Sequence, residues 1–150
     1  MGTLKIQLEL IDTPRVASAV YLPSDVVEVR ITPRLYRRGS FVRSQSVHFD
    51  IDPEGHVFNI EVLGPPRSEW QVCQLQWPTD IEKAEVRFVE PEQCEEEETE
   101  VFETNQARDL LHIVFSDDPP TRRVESAQGL VFGISEDGSL SEIWIARLSP

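Results

Sequence analysis

Two stretches of the chain decide its fold: VHFDIDPEGHVFNIEVL at residues 47–63 and LVFGISEDGSLSEIWIA at residues 130–146. In each, two segments that alternate apolar and polar residues flank a four-residue turn. The turns read DPEG at 52–55 and SEDG at 135–138. Proline at the second turn position presets φ, and glycine accepts the positive φ that closes a hairpin. Both stretches are therefore predicted to be antiparallel β-hairpins.

The two stretches also resemble each other. Phe49 corresponds to Phe132 and Gly55 to Gly138, at a constant offset of 83 residues. Upstream, DVVEVRI (25–31) resembles DLLHIVF (109–115) and, more weakly, LKIQLELI (4–11) resembles AEVRFVEP (84–91). Such self-similarity indicates a tandem duplication. We predict two antiparallel β-meander units, 1–78 and 79–150, in a mainly β protein with little helix.

The two units are expected to pack face to face in one globule, as a sandwich or a shared barrel. The joint between them is harder to interpret, because Trp70–Trp77 fits a strand or a short helix. Glutamines at 74 and 76 mark a two-residue period, which favours the strand. Sheet edges left uncovered would favour a homodimer.

Charge is distributed unevenly along the chain. The net charge is −13; residues 1–75 contribute −1 and residues 76–150 contribute −12. Phosphate backbones and anionic membranes repel such a chain, which disfavours nucleic-acid binding and membrane attachment. No apolar run approaches the roughly 18 residues of a membrane span, and no secretory signal is evident. A cytoplasmic protein is expected, with Cys73 and Cys94 as free thiols.

Residues 50–61, DIDPEGHVFNIE, have nearly the spacing of a calcium-binding EF-hand loop. Asp50, Asp52, Glu54 and Glu61 would supply the oxygen ligands, with Gly55 at the turn. An EF-hand needs a helix on each side, however, and both flanks here are β-patterned. The second stretch keeps the apolar positions and the glycine but not the acidic positions. We therefore expect no cofactor, and calcium is the alternative.

His48, Asp50 and Asp52 alternate with apolar residues and should share one outward strand face. Imidazole and carboxylate side chains can bind a transition metal. The outward face of a half-buried antiparallel strand is also normally polar, and this interpretation is favoured. Catalysis is disfavoured as well, because the chain has three histidines, no Gly-x-Ser-x-Gly motif, no Cys-x-x-Cys motif and no glycine-rich phosphate loop. An enzyme is not expected.

One basic segment interrupts the acidity, RITPRLYRRGSFVR at 30–43. It could contact nucleic acid or an anionic ligand through guanidinium groups and stacking. Contact with the carboxylates of the second unit, or with another copy of the chain, is favoured because the two regions have opposite charge. The glutamate-rich run 93–100 is interpreted as a solvated loop, with a polyanionic docking tract or a metal-collecting tract as the alternative. The candidate partner contacts are Arg34, Tyr36, Arg37, Arg38 and Arg43.

The second unit resembles a small bacterial β-meander family catalogued as domain of unknown function 2283. The residues that carry the resemblance are DLLHIVF (109–115), TRRVE (121–125), LVFGI (130–134), EDG (136–138) and IWI (143–145). The resemblance covers 105–148 well and 22–63 less well. It implies a compact β-meander without characterised chemistry. Genes of the family can neighbour toxin-like genes, so an antitoxin-like partner is implied. The predicted function is a non-catalytic protein-interaction or accessory module; the alternative is a calcium- or small-ligand-binding β module.

Overall fold

The computed structural model describes residues 4–10, 15–32, 39–94 and 100–149. Within these ranges the helical content is one 3-10 turn, Arg67–Glu69. The strands are Ile6–Glu9 (β1), Val16–Tyr21 (β2), Val27–Thr32 (β3), Ser40–Arg43 (β4), Val47–Ile51 (β5), Val57–Val62 (β6), Gln71–Val72 (β7), Glu82–Lys83 (β8), Glu85–Phe88 (β9), Val101–Thr104 (β10), Leu111–Val114 (β11), Arg122–Ala127 (β12), Leu130–Ile134 (β13) and Leu140–Ile145 (β14). The prediction of a mainly β protein with little helix is confirmed.

The two similar stretches lie in two sheets that have the same strand order. The first sheet runs β2-β3-β6-β5-β4, and the corresponding strands of the second run β10-β11-β14-β13-β12. Each predicted hairpin is present, as β5–β6 and β13–β14, and Gly55 and Gly138 have φ of 94° and 84° in the turns. Neighbours within each set of five strands are antiparallel, because short turns join most of them.

One apolar core lies between the two sheets. Phe49 is fully buried, and its ring centroid lies 6.4 Å from both Phe115 and Phe132 of the second half. Phe88 completes this aromatic group at 5.0 Å from Phe49. The sheets remain open in the described ranges and do not close into a barrel. Of the two predicted arrangements, the sandwich is therefore the one that fits.

The two halves exchange their first strands. β1 pairs antiparallel with β9, and each continues to the hairpin turn of the other half. The Ile6 N–H donates to Gly138 O at 2.9 Å, and the Phe88 N–H donates to Gly55 O, also at 2.9 Å. The halves therefore hold each other through backbone hydrogen bonds as well as through the core.

Segments of the same chain also pair with the outer strands of the first sheet. The Ser149 N–H donates to Ala19 O at 3.1 Å on β2, and the Arg43 N–H of β4 donates to Gln93 O at 2.8 Å. These contacts occupy part of the backbone that an edge strand would otherwise present to a second copy.

The connection between the halves crosses the outer face of the second sheet. β7 pairs with β10 at one edge and β8 pairs with β12 at the other, both in parallel. We call the residues between them, 73–81, the strap. Six strand spacings of about 4.8 Å separate β7 from β8, roughly 29 Å in all. Ten residues extend at most about 36 Å, so the strap must be nearly fully extended. Of the predicted strand at Trp70–Trp77, only Gln71–Val72 is a strand, and the Cys73 N–H extends its pairing by donating to Thr104 O at 2.9 Å.

Several sequence predictions fall on other parts of the chain. Arg34, Tyr36, Arg37 and Arg38 lie outside the described residues, as does the interior of the glutamate-rich run, 95–99. Cys73 and Cys94 are free thiols, as predicted. Across the described ranges, no helix has the length and apolar character to cross a membrane.

Candidate functional site

The acidic turn does not gather its four predicted ligands. Asp50 lies on β5, where its carboxylate accepts a hydrogen bond from Asn59 Nδ2 (3.1 Å) and lies 3.1 Å from His48 Nε2. Glu61 lies on β6, opposite His48 in the ladder. Asp52 instead closes the turn, since its Oδ1 accepts the backbone N–H groups of residues 54 and 56 at 3.0 and 2.9 Å. The segment is a hairpin between two strands, and no EF-hand helix flanks it in the described chain.

Carboxylates and an imidazole do meet where the turn contacts the exchanged strands. His56 Nε2 lies 2.7 Å from Glu9 Oε2, and His56 Nδ1 lies 3.3 Å from Asp52 Oδ2. Ligand atoms of Glu9, His56 and Glu85 lie within 4.8 Å of one another, as do those of Asp52, Glu54 and His56. We call these five residues the junction cluster. The junction cluster contains two of the four predicted calcium ligands, Asp52 and Glu54, and does not contain the other two, Asp50 and Glu61.

Three members of the junction cluster, Glu9, His56 and Glu85, were not predicted as site residues from the sequence, and there is a physical reason for this. Glu9 and Glu85 are direct partners across the β1–β9 pair, and that pairing joins two halves of the chain. Like charges in this position repel, and two arginines compensate them. Arg15 Nη1 lies 3.1 Å from Glu85, and Arg87 Nε lies 3.3 Å from Glu9. The cluster is therefore already an ion-pair network.

Of the five predicted partner contacts, Arg43 is the one that lies within the described residues. Its side chain is exposed on the outward face of β4, while its backbone N–H pairs with Gln93 at the start of the glutamate-rich run. The end of the basic segment and the start of the glutamate-rich run thus lie side by side at this edge of the first sheet.

A second polar network is buried under the strap. His112 Nδ1 lies 2.8 Å from Glu103 Oε1, and His112 Nε2 lies 2.9 Å from Glu142 Oε1. The other oxygen of Glu142 accepts hydrogen bonds from Arg123 Nε (2.7 Å) and Trp144 Nε1 (2.8 Å). Burial alone raises the pKa of Glu142, but the hydrogen bonds from His112, Arg123 and Trp144 together outweigh it and lower the pKa to about 2.

The sequence signal for this network is a glycine inside a strand. Gly133 is the partner of Glu142 across β13–β14, and a Cβ at this position would lie 2.2 Å from Glu142 Cγ. Glycine here leaves room for the carboxylate, as an isolated strand glycine often does for a close approach. Above the network, the Trp144 ring stacks on the His112 ring, with 3.9 Å between the ring centroids. Trp77 of the strap packs edge-on against Trp144, with 6.3 Å between the ring centroids.

The matching face of the first sheet is more open. The side chains of Glu28 and His48 are 26% and 22% exposed, whereas those of Glu142 and His112 are 5% and 11% exposed. His48 and Asp50 do share this outward face, as predicted. The Asp52 side chain does not share this face, because its carboxylate lies 3.3 Å from His56 Nδ1 in the junction cluster.

No protein-family model matches the chain, and no curated protein matches it. The described residues define a β protein of two large sheets and the separate β1–β9 pair. The outer face of the first large sheet is polar and partly exposed, and the strap crosses the outer face of the second.

Proposed function

We propose that this protein is a non-catalytic interaction module that binds a protein partner through the outer face of its first sheet. The observation that carries the proposal is the contrast between two faces with the same strand order. The second is buried under the strap, and the first is partly exposed. Burial and the neighbouring Glu103 carboxylate raise the pKa of the Cys73 thiol, which argues against a nucleophilic role for it.

The carboxylates on the central strands of this face favour a basic group on the partner, although Arg43 is exposed on β4 of the same face. Glu28 and Glu61 are direct partners across β3–β6, and Glu28 is compensated by Arg30 at 2.8 Å. Within the described part of the chain, Glu61 has no ion pair or hydrogen bond to another side chain. A stacked aromatic pair, Phe41 and His48 at 5.4 Å, lies beside it. A lysine or arginine of a partner could pair with Glu61 while an apolar group covers Phe41.

A matched pair of charge reversals tests the proposal. Wild type, Glu61→Lys and Glu136→Lys are each used to capture proteins from the native host, and the captured proteins are compared. Glu136→Lys is the control, because it makes the same change in net charge at an exposed turn residue of the second half. We expect one protein to bind wild type and Glu136→Lys but not Glu61→Lys. A second comparison with Arg37→Glu/Arg38→Glu tests the basic segment. If no captured protein depends on Glu61 or on these arginines, the proposal fails.

The proposed origin of the molecule is a tandem duplication of one β-meander unit. The shared strand order of the two sheets supports it. Membership in the family of domain of unknown function 2283 is proposed on the residue pattern of the second unit, and with it an antitoxin-like role. The product of the neighbouring gene is the first partner to test.

The second candidate function is ion binding, which the geometry of the junction cluster favours. An imidazole among carboxylates suits a transition metal better than calcium, which takes oxygen ligands. Calorimetric titrations with calcium, zinc and manganese compare wild type with His56→Ala and with His48→Ala as the matched control. Saturable heat that only His56→Ala abolishes supports a site. The absence of saturable heat at millimolar calcium would exclude the predicted calcium site.

A further inference from the structure

The strap follows one row of side chains across the outer face of the second sheet. Each member of this row is the ladder partner of the next, from β10 to β12. We call it the covered row; its members are Glu103, His112, Trp144, Val131 and Glu125. Before the strap, Gln71 pairs with the first member, and after it Lys83 pairs with the last. Trp77, the middle residue of the strap, packs on Trp144, the middle member. The strap therefore crosses the strands along this row.

The side chains of the strap alternate between the sheet and the solvent. Leu75 and Trp77 are half-buried, whereas Gln74 and Gln76 are exposed. An extended segment that crosses a sheet in this manner thus presents every second side chain to it.

The first sheet has a row of the same construction. We call it the open row; its members, again each paired with the next, are Val20, Glu28, Glu61, His48 and Arg43. Glu61 and His48 correspond to Trp144 and Val131 at the same offset of 83 residues. Parallel bridges to Ser149 and Cys94 flank the two ends of the open row, as β7 and β8 flank the ends of the covered row. The two rows therefore occupy equivalent places in two similar sheets.

The two rows differ in exposure. Val131 and Trp144 of the covered row are 0% and 7% exposed, whereas Val20 of the open row is 38% exposed and Arg43 is exposed as well. The edges of the first sheet are less accessible to an incoming chain, because segments of the same chain already pair with backbone groups of β2 and β4. Contact across the face, of the kind that the strap makes, is thus easier here than strand addition at an edge.

The side chains of the open row change in character from one edge of the sheet to the other. The row starts on β2 with an apolar valine and continues with two carboxylates, those of Glu28 and Glu61. Next is His48, whose ring stacks on Phe41 with 5.4 Å between the ring centroids, and the row ends with Arg43. A segment complementary to this order has an apolar group first, then a basic group, then an apolar or aromatic group and finally an acidic group.

The spacing of the open row fits an extended chain that crosses it. Neighbouring strands are about 4.8 Å apart, so the row spans about 19 Å from β2 to β4. An extended chain presents every second side chain to one side at intervals of about 6.6 Å. Its first, third, fifth and seventh side chains therefore fall at about 0, 7, 13 and 20 Å. With the first at Val20, the third lies between the two glutamates (about 5 and about 10 Å), the fifth lies at His48 (about 14 Å) and the seventh lies at Arg43 (about 19 Å).

We propose that the partner presents an extended segment to the first sheet, and that this segment lies along the open row as the strap lies along the covered row. The inference rests on the proposed function and names the kind of partner that the face binds. The segment has an apolar side chain at its first position, lysine or arginine at its third, an apolar or aromatic side chain at its fifth and aspartate or glutamate at its seventh. The third side chain pairs with Glu61, which has no ion pair within the described part of the chain, and the seventh pairs with Arg43.

The test is selection of a phage-displayed library of random linear decapeptides against the full chain. Peptides that bind wild type should share the proposed order of side chains, and the reverse order corresponds to crossing in the opposite direction. Glu61→Lys should change the preferred third residue from basic to acidic, and Arg43→Glu should change the preferred seventh residue from acidic to basic. Glu136→Lys in the second half is the matched control and should keep the wild-type preference. In fluorescence polarisation, a peptide selected on wild type should bind Glu61→Lys about tenfold more weakly and Glu136→Lys within about twofold of wild type.

The outcomes separate this inference from the proposed function. Each change of preference stands on its own, so Arg43→Glu tests the proposal even if Glu61→Lys does not fold. Peptides without a common order, or preferences that neither variant changes, overturn the proposal. If the selection fails while a captured host protein still depends on Glu61, the partner binds through a folded surface, and the interaction module stands without the extended segment. Analytical ultracentrifugation of the free chain tests the other occupant, because a dimer that Glu61→Lys dissociates would place a second copy on this face and would also overturn the proposal.

Discussion

Replacing Gly133 by alanine should destabilise the protein much more than a surface glycine substitution does. The new Cβ would lie 2.2 Å from Glu142 Cγ and 2.8 Å from Cδ, where ordinary contacts begin near 3.4 Å. The Glu142 side chain would have to move by more than 1 Å, counted as the difference between 3.4 and 2.2 Å. Its carboxylate accepts from Arg123, Trp144 and His112 at 2.7–2.9 Å, and a shift of this size breaks at least part of that set.

The expected magnitude follows from two contributions. Overpacking a well-filled site costs about 1–3 kcal/mol. Each hydrogen bond to a charged group contributes about 1.5–3 kcal/mol, although such values are not additive. We expect the free energy of unfolding to fall by about 3 kcal/mol. For a chain of this size that corresponds to a decrease in Tm of roughly 6–12 °C.

Urea denaturation and thermal unfolding measure the effect, with Gly64→Ala as control, because a Cβ there meets no atom within 4 Å. The control should lie within about 0.5 kcal/mol of wild type. A double-mutant cycle identifies the cause: in a Glu142→Ala background, Gly133→Ala should cost less than about 1 kcal/mol. A Gly133→Ala protein as stable as wild type, or an equal cost in both backgrounds, would refute the steric argument.

Two further predictions concern the turns and acid stability. Gly55→Ala should lower the free energy of unfolding more than Gly138→Ala does, as measured by chemical denaturation. Both glycines have positive φ, but only at Gly55 would a new Cβ also lie 2.5 Å from a backbone oxygen, that of Phe88. Equal losses of stability in the two variants would contradict this. Because the pKa of Glu142 is lowered from 4.5 to about 2, the stability contributed by its ionised form is present above pH 4.5 and is lost as the pH falls through about 2. Glu142→Gln should therefore be less stable near neutral pH and show a shallower acid dependence in unfolding experiments, and an unchanged acid limb would contradict the network.

The hairpins could be predicted because their determinants are local. Alternation sets which side chains face the core, and Gly55 and Gly138 mark the turns, so the pattern is visible within each stretch. The junction cluster could not be predicted in the same way. Glu9 and Glu85 become neighbours only because the first strands are exchanged between the halves, and no local pattern encodes that pairing. The strap was partly predictable: its two-residue period indicated an extended segment, but not the face that it covers.

The asymmetry between the two outer faces follows from the connectivity of the chain. A single connection joins the two halves, and a nearly extended segment of its length can cover only one sheet face. On the second sheet, which the strap covers, the positions around β13–β14 hold Val131, Gly133 and Trp144. On the first sheet, the corresponding positions of β5–β6 are His48, Asp50 and Glu61, which suit contact with water. Asp50 and Glu61, half of the apparent calcium loop, are thus explained by exposure of the face on which they lie. The same reasoning makes Glu61 the residue whose charge reversal should most affect an interaction partner.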